Sequence, residues 1–416
     1  MTTNDQNGTN LAPSRPTYAT RPHEAMSTSF PTDTLVRPCG PDYRICRNCV
    51  MDTSDPGITF DETGLCDQCE SFFKYVEPNW DTGAGGRAQL EAVVAEIKAD
   101  GKHREFDCIM GMSGGADSSY MLHLIVEELG LRPLVFHVDA GWNSDLAVQN
   151  IQVMVDKLGV DLYTEVINWE EVKAFQLALF RSGTSSIDLA QDHAFVATLY
   201  KFAKQHKIKF ILNGYNYSTE VTNNPKEFFY YGTDLAFLND VIKRYSPRPL
   251  PTYPFSGILN HKLYMPYALG IKVFKPLNYA PYIKNEAMAF LREEYGWTPY
   301  PRKHDESRFT RFFESYWLPV RFKFDTRRVQ FSSLILSGQM TRDDALAELE
   351  KPPMPPEEAK QSFEYVASKL DITTDELASY LTMPIKTYRD YKNQAWMFEF
   401  GARAMRFLGL ERSIRR

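Results

Sequence analysis

No run in this 416-residue chain approaches the ~18 consecutive apolar residues that a membrane span requires. The first forty or so residues carry no apolar core, so no export signal is expected either. Basic residues are not in excess: 47 Lys and Arg stand against 53 Asp and Glu, a net charge of −6. That balance argues against sequence-independent nucleic-acid binding, which needs a surplus of cations to displace the counterions of the phosphates. Cysteine is scarce, and four of the six fall into two C-x-x-C pairs. This pattern favours a metal site in a reducing, cytoplasmic setting over a disulfide framework. No internal repeat is visible. What remains is ordinary globular composition, 43% apolar and 13% aromatic, in a chain long enough for two or three units.

Residues 1–43 are rich in Thr, Ser, Asn and Pro without periodicity, and are expected to form a mobile tail. Residues 44–80 hold the cysteine pairs, Cys46/Cys49 and Cys66/Cys69. Each C-x-x-C is a knuckle that aims two thiolates at one ion, and four thiolates make a closed, structural Zn²⁺ site. A redox dithiol or an iron–sulfur set is the alternative. Cys39 and Cys108 have no such pattern, and Cys108 reads as core. The glycine-rich stretch 81–87 reads as a linker.

Between 88 and 282 the pattern alternates. Apolar strand-like runs at 106–110, 134–138, 162–167 and 208–212 are separated by helical patterns near 120–129, 145–158, 169–181 and 188–206. This is the signature of an α/β fold with a doubly wound parallel sheet. From 283 to 416 helical patterns dominate, with starts expected at Thr341 and Thr373, each followed three residues later by an acid.

The strongest chemical signal lies between the first strand and its helix: Gly111, Met112, Ser113, Gly114, Gly115, Ala116, Asp117, Ser118. A small-residue loop entering a helix exposes backbone N–H groups to an anion, and the helix end adds roughly half a positive charge. The glycines let the backbone approach phosphates where a Cβ would collide. Asp117 would repel those phosphates unless Mg²⁺ sits between them. The order of residues is that of neither the Walker loop nor the dinucleotide fingerprint.

Ser113 to Ser118 (S-G-G-A-D-S) resembles the signature of the PP-loop ATP pyrophosphatases, which cleave ATP between the α- and β-phosphates. The resemblance implies that ATP is bound by Gly111–Gly115, Asp117 and Ser118. It extends the site to His137, Val138 and Asp139 after the second strand, and to Gly214 and Asn216 after the fourth. It also implies that Glu220 joins Asp117 on Mg²⁺. A turn-forming Asp139 and a solvated Glu220 remain the alternatives. Lys275 stands where that superfamily often places a basic residue after its last strand.

From Cys46 to about Leu349 the chain resembles more narrowly the N-acetyl sugar amidotransferases of bacterial surface-polysaccharide biosynthesis. The segments that carry this are 46–66, H-V-D-A-G-W-N-S at 137–144, N-W-E-E at 168–171, K-H-D-E-S-R-F-T at 303–310 and S-S-L-I-L-S-G-Q-M-T at 332–341. The family is similar to enzymes that turn an acetamido group on a nucleotide-linked sugar into an acetamidino group. It implies a sugar nucleotide or other acetamido small molecule as acceptor, and ammonia from a separate glutaminase subunit of the histidine-biosynthesis type. Ser113, Asp117, Lys275, Lys303 and His304 are then candidates for the chemistry, and Trp142, Asn143, Arg308 and Arg327 for holding the acceptor. The chain departs from the family at Thr326, which replaces a Lys, at Gln330 or the Phe after it, which replaces a His, and in an unusually aromatic segment after the fourth strand, Tyr215, Tyr217 and then Phe228–Tyr231. Two other readings stay open: a PP-loop sulfur-transfer enzyme acting on RNA, favoured only by the basic C-terminal run (Arg403, Arg406, Arg412, Arg415, Arg416), and a non-catalytic ATP-sensing zinc-knuckle protein.

Overall fold

The computed structural model describes residues 30–37 and 40–407. Residues 1–29, Cys39, Arg412, Arg415 and Arg416 therefore lie outside the described residues. Part of the expected tail is packed. Phe30 stacks on Phe363 with centroids 4.2 Å apart, and Thr34 donates to the Met354 carbonyl at 2.7 Å.

The cysteine segment leads into α1 (Asp67–Ser71). The expected linker is folded, because α2 (Ala84–Gly101) begins inside it. Gly86 is needed there: a Cβ would sit 1.8 Å from the Asp81 carbonyl oxygen. Then follow β1 (Cys108–Gly111), α3 (Ala116–His123), β2 (Pro133–Asp139), α4 (Asp145–Leu158), β3 (Leu162–Val166), α5 (Trp169–Ser182), α6 (Leu189–Gln205), β4 (Phe210–Leu212), α7 (Tyr217–Glu220), α8 (Leu235–Tyr245) and β5 (Lys272–Phe274). The five strands form one parallel sheet in the order β3-β2-β1-β4-β5. β5 escapes the periodicity reading because it is three residues long and half exposed at the sheet edge.

Side chains alternate across the strands, as the two-residue period requires. Ile109, Phe136 and Ile211 face one core with α5 and α6. Cys108, Met110, Val135, Phe210 and Leu212 face the other, with α2, α3 and α4. Cys108 is thus core, as expected. Strands buried on both faces read as continuous apolar runs, which is why β1, β2 and β4 stand out in the sequence.

The C-terminal region is helical: α9 (Lys284–Tyr295), α10 (Arg308–Phe312), α11 (Arg327–Leu336), α12 (Arg342–Leu349), α13 (Pro356–Lys369), α14 (Thr374–Thr382) and α15 (Ala395–Phe407). The Thr341 and Thr373 hydroxyls cap α12 and α14, accepting from the Asp344 and Glu376 amides. Among the described residues, no helix is long and apolar enough to cross a membrane.

Candidate active site and cysteine cluster

The strand order reverses at β1, whose neighbours β2 and β4 leave from opposite sides, and ligands of open α/β sheets bind at such a switch point. There, beyond Gly111, the chain turns through Met112–Gly115 into α3. Gly114 has φ +84°, and a Cβ on it would lie 2.7 Å from the Ala147 carbonyl oxygen, so only glycine fits. Its own carbonyl accepts from Trp297 Nε1 at 3.0 Å and Tyr300 Oη at 3.1 Å, which clamp the turn from the C-terminal half. Ser113 Oγ accepts from the Gly115 amide and lies 3.2 Å from Ser118 Oγ. The first-turn amides of α3 have no intrahelical partner and are free for an anion.

A cleft of about 560 Å³ opens over this turn. Its floor is Gly111–Ser113 and Gly115–Ser118; Gly214 and Glu220 come from the β4 side, and Lys284, Lys303, His304 and Glu306 from the C-terminal half. Asp117 accepts from Tyr282 Oη at 2.5 Å and Thr219 Oγ1 at 3.4 Å. Burial, then the Asp117 charge, drives the Tyr282 phenol well above its usual range, so it stays a donor. Glu220 is paired with Lys303 at 2.8 Å and is not a solvated surface acid. Asp117 and Glu220 thus share one cleft, and could hold Mg²⁺ together with phosphate oxygens and water.

Lys284 was not among the residues singled out from sequence. Its ammonium makes no hydrogen bond or ion pair, and burial, then Lys303, lowers its pKa. A signal existed: a lysine at the first position of a helix opposes the dipole and implies a compensating anion. Tyr282, Trp297 and Tyr300 carried no local signal, because their roles depend on contacts more than 160 residues away.

Other expected residues sort clearly. His137 lines the cleft; its Nδ1 lies 2.8 Å from the Met112 carbonyl oxygen and its Nε2 2.9 Å from Asn143 Nδ2, which fixes the ring's orientation. Val138 and Asn143 also line the cleft. Asp139 does not; it accepts from the Gly141 amide at 2.7 Å, the turn-forming role. Asn216 is buried and caps α7, accepting from the Thr219 amide at 2.9 Å. Lys275 stands outside the lining, 3.6 Å above the Tyr215 ring, which does line it.

Three expected acceptor contacts are corrected. Trp142 is 1% exposed and donates to Gln176 at 2.7 Å; it is core and cannot touch a ligand. Arg308 reaches Asp145 at 3.1 Å and the Tyr365 ring, away from the cleft lining. Arg327 is held by Asp325 and by the carbonyls of Glu348 and Lys351, tying α11 to the end of α12. His304 does face the cleft. It adopts φ +66°, and its Nδ1 lies 2.9 Å from Glu314. Burial opposes its charge, yet the Glu314 carboxylate raises it to about 9.

The four expected cysteines converge. Their sulfurs lie within 4.8 Å of one another, with Cys46–Cys69 at 3.8 Å and Cys49–Cys66 at 3.6 Å. A tetrahedron with Zn–S bonds of about 2.3 Å has edges of roughly 3.8 Å, so the donor set and spacing suit Zn²⁺. Backbone amides of Asn48, Cys66 and Met51 point at the sulfurs, as thiolates require. The cluster also anchors the C-terminal region: Arg342 donates to the carbonyls of Cys46 and Cys49, and Arg328 pairs with Asp52 at 3.0 Å.

Residues 107–221 match the phosphoadenosine phosphosulfate reductase domain family. Residues 306–405 match the C-terminal domain family of the LPS biosynthesis protein WbpG-like type. No curated protein sequence gives a match. Among solved structures, the chain is similar to the NH3-dependent NAD synthetase of Campylobacter jejuni, at 14% identity and a TM-score of 0.25. That match covers 32% of this chain and 58% of the synthetase, so the chain spans less than two thirds of its length. The two family matches fall on the sheet that carries the glycine turn and on the helices behind the cleft: the first segment is similar to a phosphoadenosine phosphosulfate reductase domain and the second to a WbpG-like C-terminal domain.

Proposed function

We propose that the chain is an ATP-dependent amidotransferase. It adenylates the acetamido oxygen of a sugar, free or nucleotide-linked, and replaces that oxygen with ammonia to leave an acetamidino group. The single observation behind this reading is the pairing of an anion-binding backbone turn with Lys284, Lys303, Asp117 and Glu220 around one cleft, beside a WbpG-like domain.

An amide oxygen is a poor leaving group. Its attack on the α-phosphorus of ATP breaks the α–β bridge, releases pyrophosphate and gives an adenylated imidate. Ammonia then adds to the imidate carbon, and AMP departs with the former amide oxygen. In this reading the Gly114–Ser118 turn and the amides of α3 bind the leaving pyrophosphate, with Lys284 and Lys303 neutralising its charge. Tyr282 orients Asp117. Mg²⁺, held by Asp117 and Glu220, would supply charge neutralisation between the phosphate oxygens. His137, held in place by Met112 and Asn143, lines the same cleft.

The reading carries several further parts. Zn²⁺ occupies the four-cysteine cluster as a structural ion in a cytoplasmic setting, where thiolates stay reduced. Residues 44–80 are the zinc segment, 88–282 the nucleotide domain and 283–416 the acceptor-side region. Ammonia arrives from a glutaminase subunit of the histidine-biosynthesis type. The sulfur-transfer alternative is weakened by Cys108, whose thiol is buried in the sheet and pushed up by that burial.

The test is incubation with ATP, Mg²⁺, ammonium chloride and a panel of acetamido sugars. Pyrophosphate release together with a product lighter by the difference between O and NH supports the proposal. Release with bulk tRNA alone, or nucleotide binding with no turnover on any acceptor, would remove it.

A further inference from the structure

Beside the nucleotide cleft lies a second cavity, of about 310 Å³. The two share one wall: Val196 of α6 lines both. The aromatic segment Phe228–Tyr231, with Phe313, lines the second cavity, and no step of the ATP chemistry uses it. Next to Phe313, Glu314 holds His304 from behind the cleft.

The polar groups of this cavity divide into committed and uncommitted sets. Asp188 is committed to Gln191 and Thr310, and His193 to the Gly232 carbonyl and the Ser256 amide. Three others are free. The Asp192 carboxylate makes no hydrogen bond or ion pair and keeps solvent access. Ser186 is 5% exposed, lines the cavity and has a hydroxyl without a partner. Nε2 of His261 is buried and unpaired. Buried polar groups are rarely left unsatisfied, since each costs about 1–3 kcal/mol. His261 Nε2 is such a group, and beside it the Asp192 carboxylate and the Ser186 hydroxyl line the same cavity without a protein partner, a polar lining that a ligand would complete.

The ligand's chemistry follows from the walls. A carboxylate needs a donor, whereas an imidazole nitrogen and a hydroxyl take either role; hydroxyl groups satisfy all three. Aromatic walls suit the C–H faces of a ring. Among the described residues that line this cavity there is no Lys or Arg, and burial raises the carboxyls of Asp188 and Asp192 instead of pairing them with a cation, so nothing in the lining draws phosphate or carboxylate. An ammonium ion, about the size of a water at ~30 Å³, would leave most of the space empty. We infer that this cavity seats the sugar ring of the acceptor: a neutral, hydroxyl-rich acetamido hexose held by Asp192, Ser186 and His261 against the aromatic wall. Any diphosphate on that sugar stays on the lysine side of Val196. The acetamido part of the inference rests on the amidotransferase reading; the ring-binding part does not.

Saturation-transfer NMR on the full chain, without ATP, tests it. The probes are N-acetylglucosamine, N-acetylmannosamine and UDP-N-acetylglucosamine, with N-acetylneuraminic acid as the anionic comparison. Transfer to ring protons of a neutral hexosamine unit is expected. Asp192→Asn should weaken that binding roughly tenfold, and the milder Ser186→Ala roughly threefold, with thermal midpoint and ATP-analogue binding unchanged. The inference is overturned by any of four results: no transfer to any probe, equal binding by both variants, stronger binding of N-acetylneuraminic acid, or displacement of the sugar by ammonium chloride. Sugar binding intact in a protein that never releases pyrophosphate would strike the amidotransferase reading and leave the cavity assignment standing.

Discussion

The floor and the roof of the nucleotide cleft are built in different ways. The floor, Gly111–Ser118, offers mainly backbone amides, a helix end and two hydroxyls, and its geometry is set by one glycine at φ +84°. The roof, from Tyr282 to Glu306, offers side chains: Lys284 without a partner, Lys303 on Glu220, Tyr282 on Asp117. A backbone site depends on shape and fails when a Cβ intrudes. A side-chain site depends on charge and can lose function while the fold stands.

The largest separation of the two should come from the roof. Lys284→Ala leaves no orphaned partner, so the fold should hold while pyrophosphate release falls on the order of 10²–10³-fold. Lys284→Arg should recover part of it. A normal rate in Lys284→Ala would strip the roof of its assigned role. In the floor, Gly114→Ala should act through structure: the strained backbone and the contact with Ala147 cost about 1–3 kcal/mol, read as a lower thermal midpoint alongside weaker nucleotide binding. Unchanged stability would mean that the turn tolerates a Cβ after all.

A third contrast uses the knuckle. Cys66→Ser should release bound zinc and loosen the Arg342 and Arg328 contacts to the C-terminal region, exposing it to protease. Metal analysis of the wild-type chain should find about one Zn²⁺ per chain; iron, or no metal, would contradict the assignment.

The smallest effect is electrostatic. His304 titrates near 6.5 when unfolded and about 9 in place, held up by Glu314. The folded state therefore binds the extra proton, and the pair's stabilisation is complete below pH 6.5 and lost as pH rises through about 9. Thermal midpoints should fall over that window, and the fall should flatten in Glu314→Gln. An identical slope in the variant would remove the pair from the account.

Much of this architecture is legible locally. The alternation of apolar runs, the glycine turn, the cysteine spacing and the Thr341 and Thr373 caps are features of short windows. What escaped depends on distant partners. Trp142 follows a ligand-like segment, but a helix from elsewhere buries it against Gln176. Arg327 reads as a free cation until Asp325 and the end of α12 take its donors. Phe30 falls in a low-complexity stretch, and only the tertiary fold supplies Phe363 to stack on it. The second cavity was visible only as an odd aromatic run, because its polar groups come from two segments far apart in the chain, 186–192 and His261.

The most direct measurement is a crystal structure of the chain with Mg²⁺ and an α,β-methylene analogue of ATP. The account predicts the β- and γ-phosphates against the first-turn amides of α3, Ala116–Ser118, with Lys284 and Lys303 reaching them from the roof. An empty turn with the analogue bound elsewhere would contradict it.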